Sequence, residues 1–326
     1  MHSAITGLGY AVPAQVLTNT ELEKMVDTNA EWIVQRTGIK ERRIADSNTA
    51  TSDLAIEAAR KAMADAGVSA KELDLIIVAT VTPDYLFPST ACIVQREIGA
   101  IRAAAFDLGA ACTGFLYGLT VANQFIGSGK YRHVLVVGAD TLSKITDYTD
   151  RNTCILFGDG AGAAVVSASS GQGILSVNIG ADGQGADLLM QPAGGSRQPA
   201  TMETVNARGH YIKMAGQEVF KFAVNKINLA ATQALNQAGI NARDLRLLIL
   251  HQANLRIIES AAKKLGIDRD RVYVNLDRYG NMSAASVPVA FAETREQGML
   301  NIDDYILLVG FGGGLTWGAA LIKWLQ

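Results

Sequence analysis

The amino-acid sequence predicts an α/β protein built from two related halves. Short β-branched runs alternate with segments of helical periodicity along the 326 residues, a pattern typical of βαβ units and of a largely parallel sheet. Fifteen residues that begin at Ala66 recur at Ala238 with six identities, an offset of 172 positions. The same offset relates "VLVVG" at Val134 to "ILLVG" at Ile306. A chance resemblance would not keep its offset over so long a stretch, so the halves share one architecture.

The elements follow from this pattern in chain order. We expect one half over 1–171 and a second over 172–326. The segment 51–68 has apolar residues at helical spacing and ends in Ala-Gly, a helix stop signal. The glycine-rich segment 179–200 predicts a long surface excursion after the junction. Strands buried on both faces are predicted at 73–80, 133–140, 245–252 and 305–312.

Composition excludes several classes of protein. The 29 basic and 31 acidic side chains nearly cancel, so a generally basic surface for nucleic acid is not expected. No apolar run approaches the roughly 20 residues of a membrane span, and the N-terminus lacks the features of a signal peptide. Three cysteines argue against a disulfide framework and fit a reducing compartment. We expect a cytoplasmic protein without nucleic-acid or membrane partners.

The first candidate for chemistry is Cys112 in "FDLGAACTGFLYGL" (106–119). The residues after it have the spacing of a buried helix, which places the thiol near a helix N-terminus. The helix dipole and the free N–H groups there favour thiolate over thiol. The alternative is an inert buried hydrophobe, the interpretation we give to Cys92 and Cys154.

Two polar residues and a glycine run follow predicted strands in the second half. His251 comes directly after a buried strand, at the edge where α/β proteins gather their sites, although it could equally be structural. Asn281 in "RYGNMSAAS" is either functional or an Asn turn or N-cap. The glycines of "VGFGGGLTWGAAL" (309–321) are either an oxyanion-binding backbone or a tight turn. No P-loop lysine follows "FGDGAGAAVV" (157–166), and no Cys/His cluster has metal-ligand spacing.

Together, "AACTGF", "LHQAN" and "YGNMSAAS" resemble the β-ketoacyl-acyl carrier protein synthase III family of the thiolase superfamily. The resemblance extends from "NAEWIVQRTGIKERRIA" (29–45) through "DRNTCILFGDGAGAAV" (150–165) to the glycines near the end. It implies a duplicated five-layer αβαβα fold, a homodimer, and no cofactor beyond acyl-CoA as a substrate. The implied activity is an acyltransferase that begins type II fatty acid synthesis.

The resemblance also implies a division of labour among the site residues. Cys112 would attack the acyl-CoA thioester, and its N–H together with that of Gly313 would form the oxyanion hole. His251 and Asn281 would hydrogen-bond the enolate formed when malonyl-acyl carrier protein loses CO2. Phe311 matches the family phenylalanine of the decarboxylation site. An asparagine at position 281 favours the initiating type over elongating synthases, thiolases and hydroxymethylglutaryl-CoA synthases, although plant polyketide synthases also use Cys-His-Asn.

By the same resemblance, four residues bind CoA. Trp32 would stack on adenine with Arg151 on the other side, Arg36 would reach phosphate, and Asn254 would contact the pantetheine arm. Trp32 and Arg36 lie four positions apart, so a helix presents them on one face. Without the resemblance they are ordinary surface helix residues. Asn152 stands where the family commonly has glycine.

The remaining implied sites concern the carrier protein and the primer. Arg256, Lys263 and Lys264 on one predicted helix, with Lys221, would receive the acidic carrier protein, unless they are only a solvated face. Phe87 would bound the acyl pocket from across the dimer interface and select short primers, unless it is only an interface anchor.

Three other functions remain open on the sequence. A relative of the family could load an unusual or aromatic acyl group in secondary metabolism. The chain could be a non-catalytic acyl-CoA-binding paralogue, against which the intact Cys-His-Asn set argues. A dinucleotide-dependent oxidoreductase is the most distant alternative. The preferred primer does not follow from the sequence.

Overall fold

A computed structural model describes all 326 residues. The strands are β1 His2–Ala11, β2 Val16–Thr18, β3 Glu41–Arg43, β4 Leu75–Ala79, β5 Ala104–Leu108, β6 His133–Thr141, β7 Asp159–Ser169, β8 Ile174–Ala181, β9 Leu189–Met190, β10 Lys213–Met214, β11 Leu245–Leu250, β12 Val272–Tyr273, β13 Tyr305–Gly312 and β14 Thr316–Lys323. The α-helices are α1 Asn19–Leu22, α2 Ala30–Thr37, α3 Thr51–Ala66, α4 Thr90–Ile98, α5 Gly114–Gly127, α6 Met202–Asn206, α7 Gly216–Ala238, α8 Leu255–Leu265, α9 Leu276–Tyr279 and α10 Ser286–Glu296.

Two five-stranded sheets form the framework. Their strand orders are β1-β7-β6-β4-β5 and β12-β11-β13-β14-β8. Within each sheet two neighbouring pairs are parallel and two are antiparallel. The expectation of a largely parallel sheet is therefore wrong, because β7 returns antiparallel beside β6 after the connection over 142–158, and β14 returns beside β13 after a tight turn over 313–315. The first sheet is built before residue 170 and the second after residue 173, and the boundary at 171/172 stays a prediction.

Five layers result from the packing of helices on these sheets. Helices α3 and α4 cover the outer face of the first sheet, and α7 and α8 cover the outer face of the second. Helices α5 and α10 lie between the sheets in the largest apolar cluster, which holds 27 buried residues. Apolar side chains on both faces of each sheet explain why the strands read as continuous hydrophobic runs. The predicted thiolase-like αβαβα architecture is confirmed.

The repeat is visible in backbone detail. Helices α3 and α7 both end in a left-handed glycine, Gly67 at φ 63° and Gly239 at φ 69°, which lie 172 positions apart. The turns before α5 and α10 also correspond. Each contains a non-glycine residue with positive φ, Ala111 at 46° and Ser283 at 48°, again 172 positions apart. The two halves thus place a strained turn at the same end of a central helix.

Some local expectations differ from the structure. The segment 179–200 is only in part a surface excursion, because its first residues belong to β8 and Leu189 reaches the cavity beside Cys112. Cys154 is buried as expected, whereas Cys92 is exposed. No helix combines the length and the apolar character that a membrane span requires.

Candidate active site

The turn that carries Cys112 is held against the end of β13. Cys112 lies in a short 3-10 helix over 111–113, directly before α5. The Thr113 hydroxyl donates to the Ala110 carbonyl at 2.7 Å and shares a second hydrogen bond, 2.8 Å long, with the Thr316 hydroxyl on β14. A Cβ at Gly312 would lie 2.8 Å from the Cys112 nitrogen. Only glycine there lets the strand approach the nucleophile so closely.

The backbone N–H groups beside the sulfur are available to a substrate. Those of Cys112 and Gly313 donate no hydrogen bond to the turns around them. Cys112 and Gly313 also line the same cavity. Free N–H donors next to a nucleophile are the components of an oxyanion hole.

His251 follows β11 and is fixed by its backbone. Its N–H donates to the Val309 carbonyl at 2.8 Å, which extends the pairing with β13 by one residue. The ring is 1% exposed and meets the Phe311 ring edge to face at 5.3 Å between centroids. Burial lowers the pKa of His251 to about 3, so the imidazole is neutral at physiological pH. Its Nδ1 is buried without a hydrogen-bond partner, so no contact within the chain fixes the tautomer.

Asn281 is held by backbone contacts on both sides. Its N–H donates to the Leu156 carbonyl at 2.8 Å, and its carbonyl accepts from the Gly158 N–H at 3.0 Å. Its side-chain Oδ1 accepts from the Ser283 N–H at 2.9 Å. Because Oδ1 is engaged, the amide presents its Nδ2 donor to the site.

Two cavities meet at Cys112. The first, of about 100 Å³, is lined by Cys112, His251, Asn281, Phe311 and Asn254 among others. The structure therefore brings the nucleophile and both predicted donors around one space. The second, of about 120 Å³, has a mainly apolar wall that includes Leu142, Phe157, Leu189 and Ile212, with Gly313 beside the sulfur.

Burial controls the protonation of the nucleophile. It raises the pKa of Cys112 to about 12, and the neighbouring Ser283 hydroxyl offsets this only in part. A favourable helix terminus stabilises a charged group by up to about 2 kcal/mol, which corresponds to about 1.5 pKa units. Full burial shifts a pKa by as much as roughly 3–5 units, which is the larger effect. The expected position at a helix start is confirmed, whereas in the free chain burial outweighs the helix terminus and favours the neutral thiol.

The predicted CoA residues form one surface cluster. The guanidinium carbons of Arg151 and Arg36 lie 4.9 Å and 5.8 Å from the centroid of the Trp32 ring. Arg151 also pairs with Asp27 at 3.6 Å. Asn254 caps α8 by accepting from the Arg256 N–H, and its Nδ2 donates to the Arg36 carbonyl at 3.0 Å. This asparagine therefore connects the cluster to the Cys112 cavity.

The predicted carrier-protein residues lie on the surface near the same cavity. Lys221, Arg256, Lys263 and Lys264 are all exposed. Arg256 lies 5.9 Å from the ring of Phe220, which lines the cavity with Cys112. Exposed Glu259 shares the helix face of Arg256 and Lys263 and reduces its net positive charge.

Phe87 does not line the acyl cavity within its own chain. It is 86% exposed, as is its neighbour Leu86. Within one chain, only Val81, near the start of the loop between β4 and α4, lines the cavity. The predicted gating across an interface is therefore compatible with the position of Phe87 and stays a prediction.

Sequence reasoning missed several residues that shape the site. Phe157 lines both cavities and pairs with Asn281 in a parallel bridge. In the sequence, the glycine-rich segment that begins with Phe157 was considered only as a possible phosphate-binding loop. Ser283 lines the same cavity as Cys112. The internal repeat could have identified Ser283, because this residue lies 172 positions after Ala111, the neighbour of Cys112.

Comparisons with known proteins agree with this geometry. The chain matches the family described as 3-Oxoacyl-[acyl-carrier-protein (ACP)] synthase III over residues 106–183, and its C-terminal part over 235–324. A Natranaerobius thermophilus protein named Beta-ketoacyl-[acyl-carrier-protein] synthase III is 56% identical over 99% of both chains. A protein of that name from Caldanaerobacter subterraneus is 57% identical, over 99% of this chain and 98% of the relative.

Structural similarity leads to the same family. The crystal structure of 3-oxoacyl-[acyl-carrier-protein] synthase III from Aquifex aeolicus aligns with a TM-score of 0.91 at 46% identity, covering 99% of this chain and 100% of that one. The first family match contains Cys112, and the second contains His251 and Asn281. This chain therefore belongs to the β-ketoacyl-[acyl-carrier-protein] synthase III family of thiolase-fold condensing enzymes.

Proposed function

We propose that the chain condenses an acyl-CoA primer with malonyl-acyl carrier protein, giving 3-oxoacyl-acyl carrier protein, CoA and CO2, and so initiates type II fatty acid synthesis. The observation that carries this proposal is the position of Cys112. It lies where an apolar cavity meets a second cavity that contains His251 and Asn281. A covalently held acyl chain fits the first, and a developing enolate fits the second.

The first half-reaction is acyl transfer to Cys112. The sulfur attacks the thioester carbon, and the N–H groups of Cys112 and Gly313 stabilise the negative oxygen. Collapse breaks the bond to the CoA sulfur, which leaves with the proton that Cys112 brought. Because the thiol is protonated at rest, this step has no net proton change.

The second half-reaction is decarboxylation and carbon–carbon bond formation. The bond between the malonyl methylene and its carboxylate breaks, CO2 leaves, and the electron pair forms an enolate. His251 Nε2–H and Asn281 Nδ2–H donate to the enolate oxygen. The Phe311 ring makes the wall beside His251 apolar, which disfavours a carboxylate and favours neutral CO2. The carbanion carbon then attacks the acyl thioester and releases the Cys112 sulfur.

The substrates reach Cys112 past the Trp32 cluster and Asn254. We propose that adenine inserts between Trp32 and Arg151, replacing the cation–π contact that closes the site in the free chain. Arg36 pairs with phosphate. The basic face formed by Lys221, Arg256, Lys263 and Lys264 receives the carrier protein, and its rim position affects encounter more than chemistry.

We also propose a cytoplasmic homodimer that needs no cofactor. The exposed apolar loop around Phe87 and Leu86 is the surface that a second copy would cover. In that arrangement Phe87 of each copy closes the far end of the other copy's acyl cavity.

Intact-mass measurement of the acyl-enzyme tests the function. Mixing with acetyl-CoA or a short branched acyl-CoA should add one acyl group, and malonyl-acyl carrier protein should then remove it as the 3-oxoacyl product. Cys112→Ala should show no adduct, whereas Cys92→Ala, which removes an exposed thiol, should behave as wild type. An equal adduct on Cys112→Ala would overturn the mechanism, and acylation only by aromatic acyl-CoAs would favour secondary metabolism.

A further inference from the structure

The wall of the apolar cavity is assembled from two separate chain segments. Leu142 and Ile145 come from the segment after β6, whereas Leu189, Met190 and Ile212 come from the β9–β10 region. A backbone hydrogen bond from the Ile212 N–H to the Ile145 carbonyl, 2.9 Å long, joins the two segments. The distance between them therefore contributes to the dimensions of the cavity within one chain.

An ion pair joins the same two segments at the surface. Asp147 accepts two hydrogen bonds from the Arg208 guanidinium, one from Nε at 2.7 Å and one from Nη2. The Thr149 N–H and hydroxyl also donate to Asp147, at 2.9 Å and 2.7 Å. The Asp147 side chain is 4% exposed. Lys213 lies farther away, at 3.9 Å.

This pair keeps its charge over the useful pH range. The Arg208 guanidinium, with help from Thr149, holds the pKa of Asp147 well below its ordinary range. A two-pronged arginine–carboxylate contact also fixes orientation, which a lysine point charge does not. A buried carboxylate that lost this partner would be strongly unfavourable.

The backbone of Arg208 is arranged for this contact. Arg208 has φ 54°, a left-handed conformation that is unfavourable for a residue with a Cβ. The turn is tied down by hydrogen bonds from the Arg208 N–H to Val205 and from the Gly209 N–H to Thr204, each 2.9 Å. The Ala193 N–H donates to the Gly209 carbonyl at 2.8 Å. The position of Arg208 is thereby transmitted to the chain directly after Met190.

We propose that the Asp147–Arg208 ion pair is a specificity-determining clamp that fixes the length of the acyl group admitted beside Cys112. The clamp holds the β9–β10 region against Ile145 and keeps the cavity short. The proposal rests on the proposed function for the identity of its ligand, an acyl chain. The cavity dimension itself is measurable without any acyl transfer.

The test uses Arg208→Met, which keeps an unbranched, flexible side chain and removes the charge. Arg197→Met is the matched control, because Arg197 is exposed on the same segment and forms no ion pair. Both are made in a Cys92→Ala background, so that Cys112 is the reactive thiol. One probe is a series of straight-chain acyl-CoAs from acetyl to dodecanoyl. The second is a series of n-alkyl methanethiosulfonates, which form an alkyl disulfide on Cys112 and release methanesulfinate.

We expect Arg208→Met to raise the ratio of long-chain to short-chain rates about tenfold or more in both series, since each methylene in an apolar pocket is worth roughly 10-fold or more in selectivity. Arg197→Met should keep the wild-type ratio. Asp147→Asn combined with Arg208→Met should shift the ratio no further than either variant alone, because the two residues act as one unit.

Two outcomes separate the two proposals. An unchanged chain-length ratio in the methanethiosulfonate series, or a uniform loss at all lengths, would overturn the clamp. A shifted ratio in that series, with no acyl adduct on wild type from any acyl-CoA, would support the clamp and overturn the proposed function instead.

Discussion

Cys112 and His251 owe their protonation states to burial, and both are neutral in the free chain. A neutral imidazole donates a hydrogen bond without adding a positive charge that would stabilise the malonyl carboxylate. The sequence identified Cys112 by its place near the start of a helix and His251 by its place directly after a buried strand. It could not reveal the neutral states, because burial depends on which distant segments cover the site.

The pKa of His251 predicts a dependence of stability on pH. The unfolded chain protonates this histidine below pH 6.5, whereas the folded chain does not until about pH 3. Stability from this residue is therefore complete above pH 6.5 and falls as the pH is lowered, by about 1.4 kcal/mol per unit. The free energy of unfolding, measured with urea between pH 6.5 and 4.5, should fall less steeply with decreasing pH for His251→Asn than for wild type. Parallel slopes would mean that the ring is protonated in the folded protein.

His251→Ala and Asn281→Ala should separate the two half-reactions. Each removes one donor to the enolate, a loss typically worth about 2.7–4 kcal/mol in the transition state. Acylation of Cys112, followed by mass spectrometry, should survive better than release of CO2 from malonyl-acyl carrier protein. Variants that decarboxylate normally but cannot be acylated would reverse the assigned roles.

The turns before α5 and α10 carry the functional difference between the two halves. Ala284 occupies the position that corresponds to Cys112, and its N–H donates to the Asp140 carboxylate at 3.1 Å. Asp140 in turn corresponds to Gly312 by the 172-residue offset. A fixed carboxylate in one half thus corresponds in position to Gly312 in the other half, beside the N–H groups to which we assign the oxyanion. This carboxylate also accepts from the N–H of Val81 at 2.8 Å.

Asp140→Asn should slow condensation as well as destabilise the fold. Asp140 is fully buried, and both of its carboxylate oxygens accept hydrogen bonds from N–H or hydroxyl groups. In asparagine one of these oxygens becomes an NH2 group, which would face a donor at a cost of about 1–3 kcal/mol. The disturbed Ala284 lies next to Ser283, whose N–H orients Asn281. We expect a lower kcat for condensation together with a lower urea midpoint.

Asp107→Asn is the matched control for this effect. Asp107 also accepts from two backbone N–H groups, those of Thr90 and Ala91, each at 2.7 Å, but it does not contact the turn over 283–285. It should lower stability and leave kcat nearly unchanged. Equal kcat losses in both variants at a temperature where each is folded would show that Asp140 does not act through Asn281.

The helices and strands followed from the sequence more reliably than the turns. The helix over 51–68 and the four strands were visible because apolar period and glycine stops agree along the chain. The strained turns at Ala111 and Ser283 were not, because positive φ at a non-glycine residue leaves no local signal. The antiparallel neighbours were missed because strand direction depends on connections, not on the strand's own residues.

At the scale of the whole molecule, the role proposed for Phe87 depends on a second copy of the chain. Phe87→Thr should empty volume at the far end of the acyl path, and each further methylene buried is worth ~0.8 kcal/mol. The kcat/KM preference should move towards longer acyl-CoAs. Leu86→Thr, which alters an equally exposed neighbour, should leave it unchanged. A native preference for lauroyl-CoA would remove Phe87 as the gate.

The meeting of two cavities at one sulfur has a consequence for the order of events. In the proposed mechanism, the arm of CoA and the arm of the carrier protein both approach through the passage beside Asn254, and the acyl group lies in the other cavity that Cys112 lines. The two carriers cannot occupy that passage together, so each turnover is a strict alternation. A carrier that arrives before its turn blocks the other, and the enzyme's throughput then depends on the ratio of its two substrates inside the cell.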